Sequence, residues 1–163
     1  MKKLLFIALL LCATTLNVNA QDVFKEILKT SREVAEDETK DLETRKIATF
    51  KYDELCYLAG KVRSDVLRDT TDLAFFNKTI TMLNEQSYAM HEFVTLFVSL
   101  ITHSKKDKDK QVILAKFREA SINNPYFYDK DTELVHAYYN NSNYLTQFSL
   151  DTDWVKALAE VKK

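Results

Sequence analysis

Residues 73–101, LAFFNKTITMLNEQSYAMHEFVTLFVSLI, carry the strongest periodic signal in the chain. Leu73, Phe76, Ile80, Leu83, Ser87, Met90, Val94, Phe97 and Ile101 recur in alternating steps of three and four, which keeps their side chains on one stripe of an α-helix. Asp69-Thr70-Thr71-Asp72, just upstream, offers several N-cap residues. The pattern predicts a helix over 72–103, about 48 Å long. Phe93 to Ile101 is apolar nearly all round, which predicts burial on several sides. That stretch rises only about 14 Å, too little to cross a bilayer.

Upstream, Ala48, Tyr52, Leu55, Ala59, Val62 and Val66 repeat the same spacing and predict a helix over 42–67, widened by Ile47, Phe50 and Leu58. Two helices of this length joined by a short connection make an antiparallel hairpin. Gly60 falls in the middle of the first. Glycine there costs about 1 kcal/mol relative to alanine, so the position predicts either a bend or the close approach of another helix, and we favour close approach. Around the hairpin, Phe24, Ile27, Leu28, Ser31, Val34 and Ala35 predict a helix over 22–36 with Asp22 as its cap. Glu36 to Asp41 either breaks that helix or continues it as a solvated face. The SKKDKDK run at 104–110 reads as a charged connection, with Asp107 or Asp109 capping a helix over about 110–122 that ends before Asn123-Asn124-Pro125. Two short helices, at about 131–140 and 152–162, complete an all-α chain.

Composition narrows the function classes. The 163 residues include one Gly and one Pro. Phosphate-cradling glycine loops, dinucleotide-binding turns and the glycine-flanked nucleophile elbow therefore have no sequence to build them. Met1-Lys2-Lys3, the apolar run Leu4 to Ala13 and Val18-Asn19-Ala20 form the pattern of a secretory signal peptide, with cleavage between Ala20 and Gln21. Residues 1–20 are then the signal peptide and 21–163 one helical domain. The expected route is Sec-dependent export to the periplasm or exterior of a Gram-negative cell. Taking Lys2 and Lys3 from the 23 basic residues leaves 21 against 24 acidic ones, with signs interleaved, which argues against nucleic-acid binding. No integral membrane segment is expected in the exported chain. It retains a single cysteine, Cys56, so no internal disulfide is possible. Lying among Leu55, Tyr57 and Leu58, Cys56 reads as a buried thiol, with an intermolecular disulfide as the alternative.

Catalytic and metal constellations are not visible. His91-Glu92 opens like a zinc-protease motif, but Thr95 stands where the second histidine is required. Asp129-Lys130-Asp131-Thr132-Glu133 alternates like a calcium loop, yet lacks the turn glycine and ends on Asn140. Adjacent carboxylates such as Asp53-Glu54 point about 100° apart on a helix and read as surface charges. No catalytic residue, metal ligand or cofactor site is assigned. What stands out is an aromatic concentration between Pro125 and Trp154: Tyr126, Phe127, Tyr128, Tyr138, Tyr139, Tyr144, Phe148 and Trp154, interleaved with asparagines. Most of these rings are expected in a small core beneath the terminal helices. Tyr126, Tyr128, Tyr139, Tyr144 and Trp154 are the candidates for a partner-facing surface.

Phe97-Val98-Ser99-Leu100, Phe117, Ala120 and Pro125, with Leu134 and Tyr138 one repeat length beyond Leu100 and Ser104, resemble one and a half tetratricopeptide repeats. Ile101, Ser104 and Ile113 stand where that repeat has a glycine, an aromatic residue and an alanine. The likeness implies helical pairing. The whole exported chain, particularly Asn123-Asn124-Pro125 and QFSLDTDW at 147–154, also resembles small secreted helical proteins of Gram-negative bacteria. That likeness implies export and helical class and carries no site residue. Together these features predict a non-enzymatic protein-interaction or adaptor module. The alternative is a carrier of an apolar small ligand held between helices.

Overall fold

The computed structural model describes residues 20–68, 73–121, 148, 150 and 152–163. Among them the chain is an all-α helical bundle of five helices: α1 (Ala20–Glu36), α2 (Leu42–Arg68), α3 (Leu73–His103), α4 (Asp107–Ala120) and α5 (Trp154–Val161). Residues 1–19 of the expected signal peptide, the expected caps at 69–72, the expected helix at 131–140, and Leu134 and Tyr138 of the repeat likeness lie outside the described residues.

Helices α2 and α3 pair as a hairpin. The four residues between Arg68 and Leu73 reach under about 20 Å, so α3 must start beside the end of α2. Lys51 and His91, each about 26 Å from that junction along its own helix, are in contact, which requires the two helices to run back along each other. Helix α1 lies against both, its Ile27 and Ser31 buried. The Phe24 N–H donates to Asn84 Oδ1 on α3 at 3.2 Å, and Arg45 Nε donates to the Ala35 carbonyl at the end of α1 at 3.1 Å. The polar stretch after Glu36 breaks the helix. Asp37 Oδ1 accepts from the Thr39 N–H, and Asp41 Oδ1 accepts from the Thr44 N–H to cap α2. The Thr39 and Thr44 hydroxyls, which also donate to these two aspartates, together with the same residues' N–H groups hold both carboxyls below the usual carboxylate range.

Helices α4 and α5 close the other side of the bundle, packing on α3 and on each other. Phe117 of α4 meets Phe93 and Phe97 with ring centroids 4.8 and 5.3 Å apart. Phe148 sits edge-on to Phe50, Phe93 and Phe97, and Trp154 edge-on to Phe50 and Phe93. These T-shaped contacts suit the ring quadrupoles. Helix α4 begins at Asp107, three residues earlier than expected, because Asp107 and Asp109 do not cap it. Lys106 holds the N-cap position without a side-chain bond, and the two aspartates lie in the first turn, where the positive end of the helix dipole favours them.

Three expectations about single residues are corrected. Gly60 receives no close neighbour: a β-carbon built there meets nothing within 4 Å. Cys56 is exposed, because it lies about 100° round α2 from the buried Leu55 and away from the stripe of Ala48, Lys51, Leu55, Leu58 and Val62. Glu54 is not a surface charge but fully buried, one helical turn from both Phe50 and Leu58.

Candidate functional site

The core contains a polar network that joins three helices. Trp154 Nε1 donates to Glu54 Oε1 on α2 at 2.7 Å, while the Trp154 backbone N–H donates to Gln86 Oε1 on α3 at 2.7 Å. Gln86 Nε2 in turn donates to Asp153 Oδ1 at 3.0 Å, and Asp153 caps α5 by accepting from the Lys156 N–H. The Gln86 amide thus satisfies one orphan donor of the first turn of α5 and the acid that caps it. Trp154, expected as a partner-facing ring, is wholly buried, its ring packed on Phe50 and Phe93 and its indole N–H satisfied by Glu54. Tyr126, Tyr128, Tyr139 and Tyr144 lie outside the described residues. Ala20 and Gln21, the expected cleavage pair, are the first two residues of α1.

A second polar group opens to solvent. Between α1, α2 and α3 lies a cleft of about 250 Å³ lined by Thr30, Ser31, Val34, Thr44, Ile47, Ala48, Lys51 and His91. Lys51 Nζ donates to Thr95 Oγ1 at 3.1 Å and stands 3.4 Å from His91 Nδ1. Burial pulls the Lys51 ammonium from the ordinary 10.5 down to about 8, against the charge of Glu92. Burial also lowers His91, helped by the Lys51 charge and opposed by Glu92, so the imidazole is the neutral acceptor of the pair. Sequence reading passed over Lys51 because a charged residue hides a stripe of apolar ones. Its position three residues after Ala48 and four before Leu55 was the available signal.

A groove of about 430 Å³ runs along α1 beside Tyr52, lined by Lys25, Lys29, Arg32, Glu33 and Glu36, with Arg32 and Glu36 paired at 2.8 Å. Tyr52, hydrogen-bonded to the Cys56 side chain, has its phenol raised above its ordinary value. His103 is exposed and donates from Nδ1 to the Ser99 carbonyl, while His136 lies outside the described residues. Among the described residues no group of His, Cys, Asp or Glu is arranged to hold a metal ion, and no helix is long and apolar enough to cross a membrane.

Several large apolar side chains are exposed among the described residues, Leu73 the most. The apolar seam of α3 continues past the core at its N-terminal end: Leu73 is 72% and Phe76 38% exposed, although both are in register with the buried Leu83, Met90 and Phe97. Fold and surface together define a class, a small all-α bundle with an overhanging apolar helix end. No family model matches the sequence, and comparisons with curated proteins and with solved structures return no match.

Proposed function

We propose that the chain is an exported, non-enzymatic helical module that binds a protein partner through the apolar end of α3. The observation that carries this reading is the exposure of Leu73 and Phe76 on the same stripe that forms the core further along the helix. Large apolar side chains on a rigid helix, left in water at core register, favour association with a second apolar surface. The signal-peptide pattern ending at Ala20 supports the exported location.

The test is a pull-down from native envelope and culture extract with immobilised residues 21–163, run beside Leu73→Ser, Phe76→Ser and a heat-unfolded control. A partner retained by the folded protein and lost from both variants, with helicity kept, supports the module. Equal retention by the variants sinks it.

A further inference from the structure

The second polar group holds a cation with no anion in contact with it among the described residues. Lys51 is 9% exposed, and its two hydrogen-bond partners, a threonine hydroxyl and an imidazole, are both neutral. Among the described residues none of the ion pairs includes it. A buried cation without a contacting anion is costly, because desolvation is not offset by charge neutralisation. Lys51 nevertheless lines an open cleft rather than being sealed into the core. Beside it the cleft presents Val34, Ile47 and Ala48, an apolar wall with no charge.

We propose that this cleft between α1, α2 and α3 binds a short aliphatic carboxylate, its carboxylate received by the Lys51 ammonium and its hydrocarbon by Val34, Ile47 and Ala48. The ammonium has three donors, of which Thr95 and His91 engage two. A charge-assisted bond to an incoming carboxylate uses the third and relieves the desolvation of both groups. Ser31, 6% exposed and lining the same cleft, adds a hydroxyl donor. The Thr30 and Thr44 hydroxyl protons are already used, on the Glu26 carbonyl and on Asp41 Oδ2. The charges of Glu92 and Asp41 oppose an anion, but neither lines the cleft. The volume of about 250 Å³ equals roughly eight waters at about 30 Å³ each. A ligand of about eight non-hydrogen atoms fits that volume, and hexanoate has this size.

The inference is separate from the partner surface on α3 and is tested without it. Hexanoate, acetate and hexanol are titrated into the purified isotope-labelled protein, following the Lys51 side-chain and the Ser31, Val34 and His91 amide resonances. Saturable shifts at these positions are expected with hexanoate, at least about tenfold weaker with acetate or hexanol. Lys51→Met is expected to weaken hexanoate binding to the level of hexanol. In the unaltered protein the same loss is expected on raising the pH from 7 to 9.5, as the ammonium discharges while the ligand stays charged. Shifts that do not saturate, hexanol binding equal to hexanoate, or hexanoate binding that is indifferent to Lys51→Met or to pH each overturn the proposal. Acetate binding equal to hexanoate overturns the hydrocarbon contact.

Discussion

Replacing Gln86 by methionine keeps the volume of the side chain but removes both hydrogen bonds by which α3 holds the start of α5. The Trp154 N–H, 2.7 Å from Gln86 Oε1, is left buried without that acceptor, and Asp153 loses the donor 3.0 Å from its Oδ1. Each orphaned buried group costs about 1–3 kcal/mol, and Asp153 keeps part of its satisfaction through the Lys156 N–H, so the loss should be about 3 kcal/mol. With a urea slope of about 2 kcal/mol/M, the midpoint falls by about 1.5 M. Trp154 is the single tryptophan, so its fluorescence reports on α5 alone while far-UV circular dichroism reports on all the helices. The wild-type transitions should coincide. In Gln86→Met the indole emission should move to longer wavelength before helicity is lost, because α5 undocks from a bundle that still stands. A loss under about 1 kcal/mol with superimposed transitions would refute the claim that this amide docks the terminal helix.

Four further outcomes follow from the same packing. Gly60→Ala should stabilise the protein by about 1 kcal/mol, because the new methyl meets nothing and the helix gains propensity; a lower urea midpoint would restore the close approach favoured from sequence. Lys51 titrates near 8 when folded and near 10.5 otherwise, so the unfolded chain holds a proton between those values that the folded chain has released. Stability should therefore rise by about 3 kcal/mol between pH 8 and 10.5, and Lys51→Met should flatten that rise relative to wild type in urea titrations. His91, lowered below its ordinary 6.5, works at the other end: stability should fall as the pH drops below 6.5, and His91→Gln should lessen that fall. The exposed Cys56 thiol should react with a chromogenic disulfide in the native state and form a cross-linked dimer under oxidant, abolished by Cys56→Ser; reaction only after denaturation would return it to the interior.

The helices themselves were legible in the residues because their cause is local. Alternating steps of three and four predict 72–103 and 42–67, and the helices run Leu73–His103 and Leu42–Arg68. The terminal helix, expected over 152–162, occupies Trp154–Val161 under its Asp153 cap. Periodicity tells which residues share a face, but not which neighbour covers that face or how far the cover extends. Leu73 and Phe76 belong to the same seam as Met90 and Phe97, yet only the packing of α1, α2, α4 and α5 leaves the first pair in water and buries the second. The same limit hid Lys51, Glu54 and Gln86. Each is a polar residue at a core position whose hydrogen-bond partner lies 44 or more residues away in the chain. Cys56 and Gly60 erred the other way, since apolar sequence neighbours and a missing side chain both suggested an interior that no helix provides. What the sequence by itself determined was therefore the all-α class and, to within about three residues, the bounds of the described helices, which follow from bonds and faces within one helix. The polar lock on α5, the Lys51 cleft and the uncovered end of α3 were decided only in the tertiary structure, where residues distant in the chain compete for the same space.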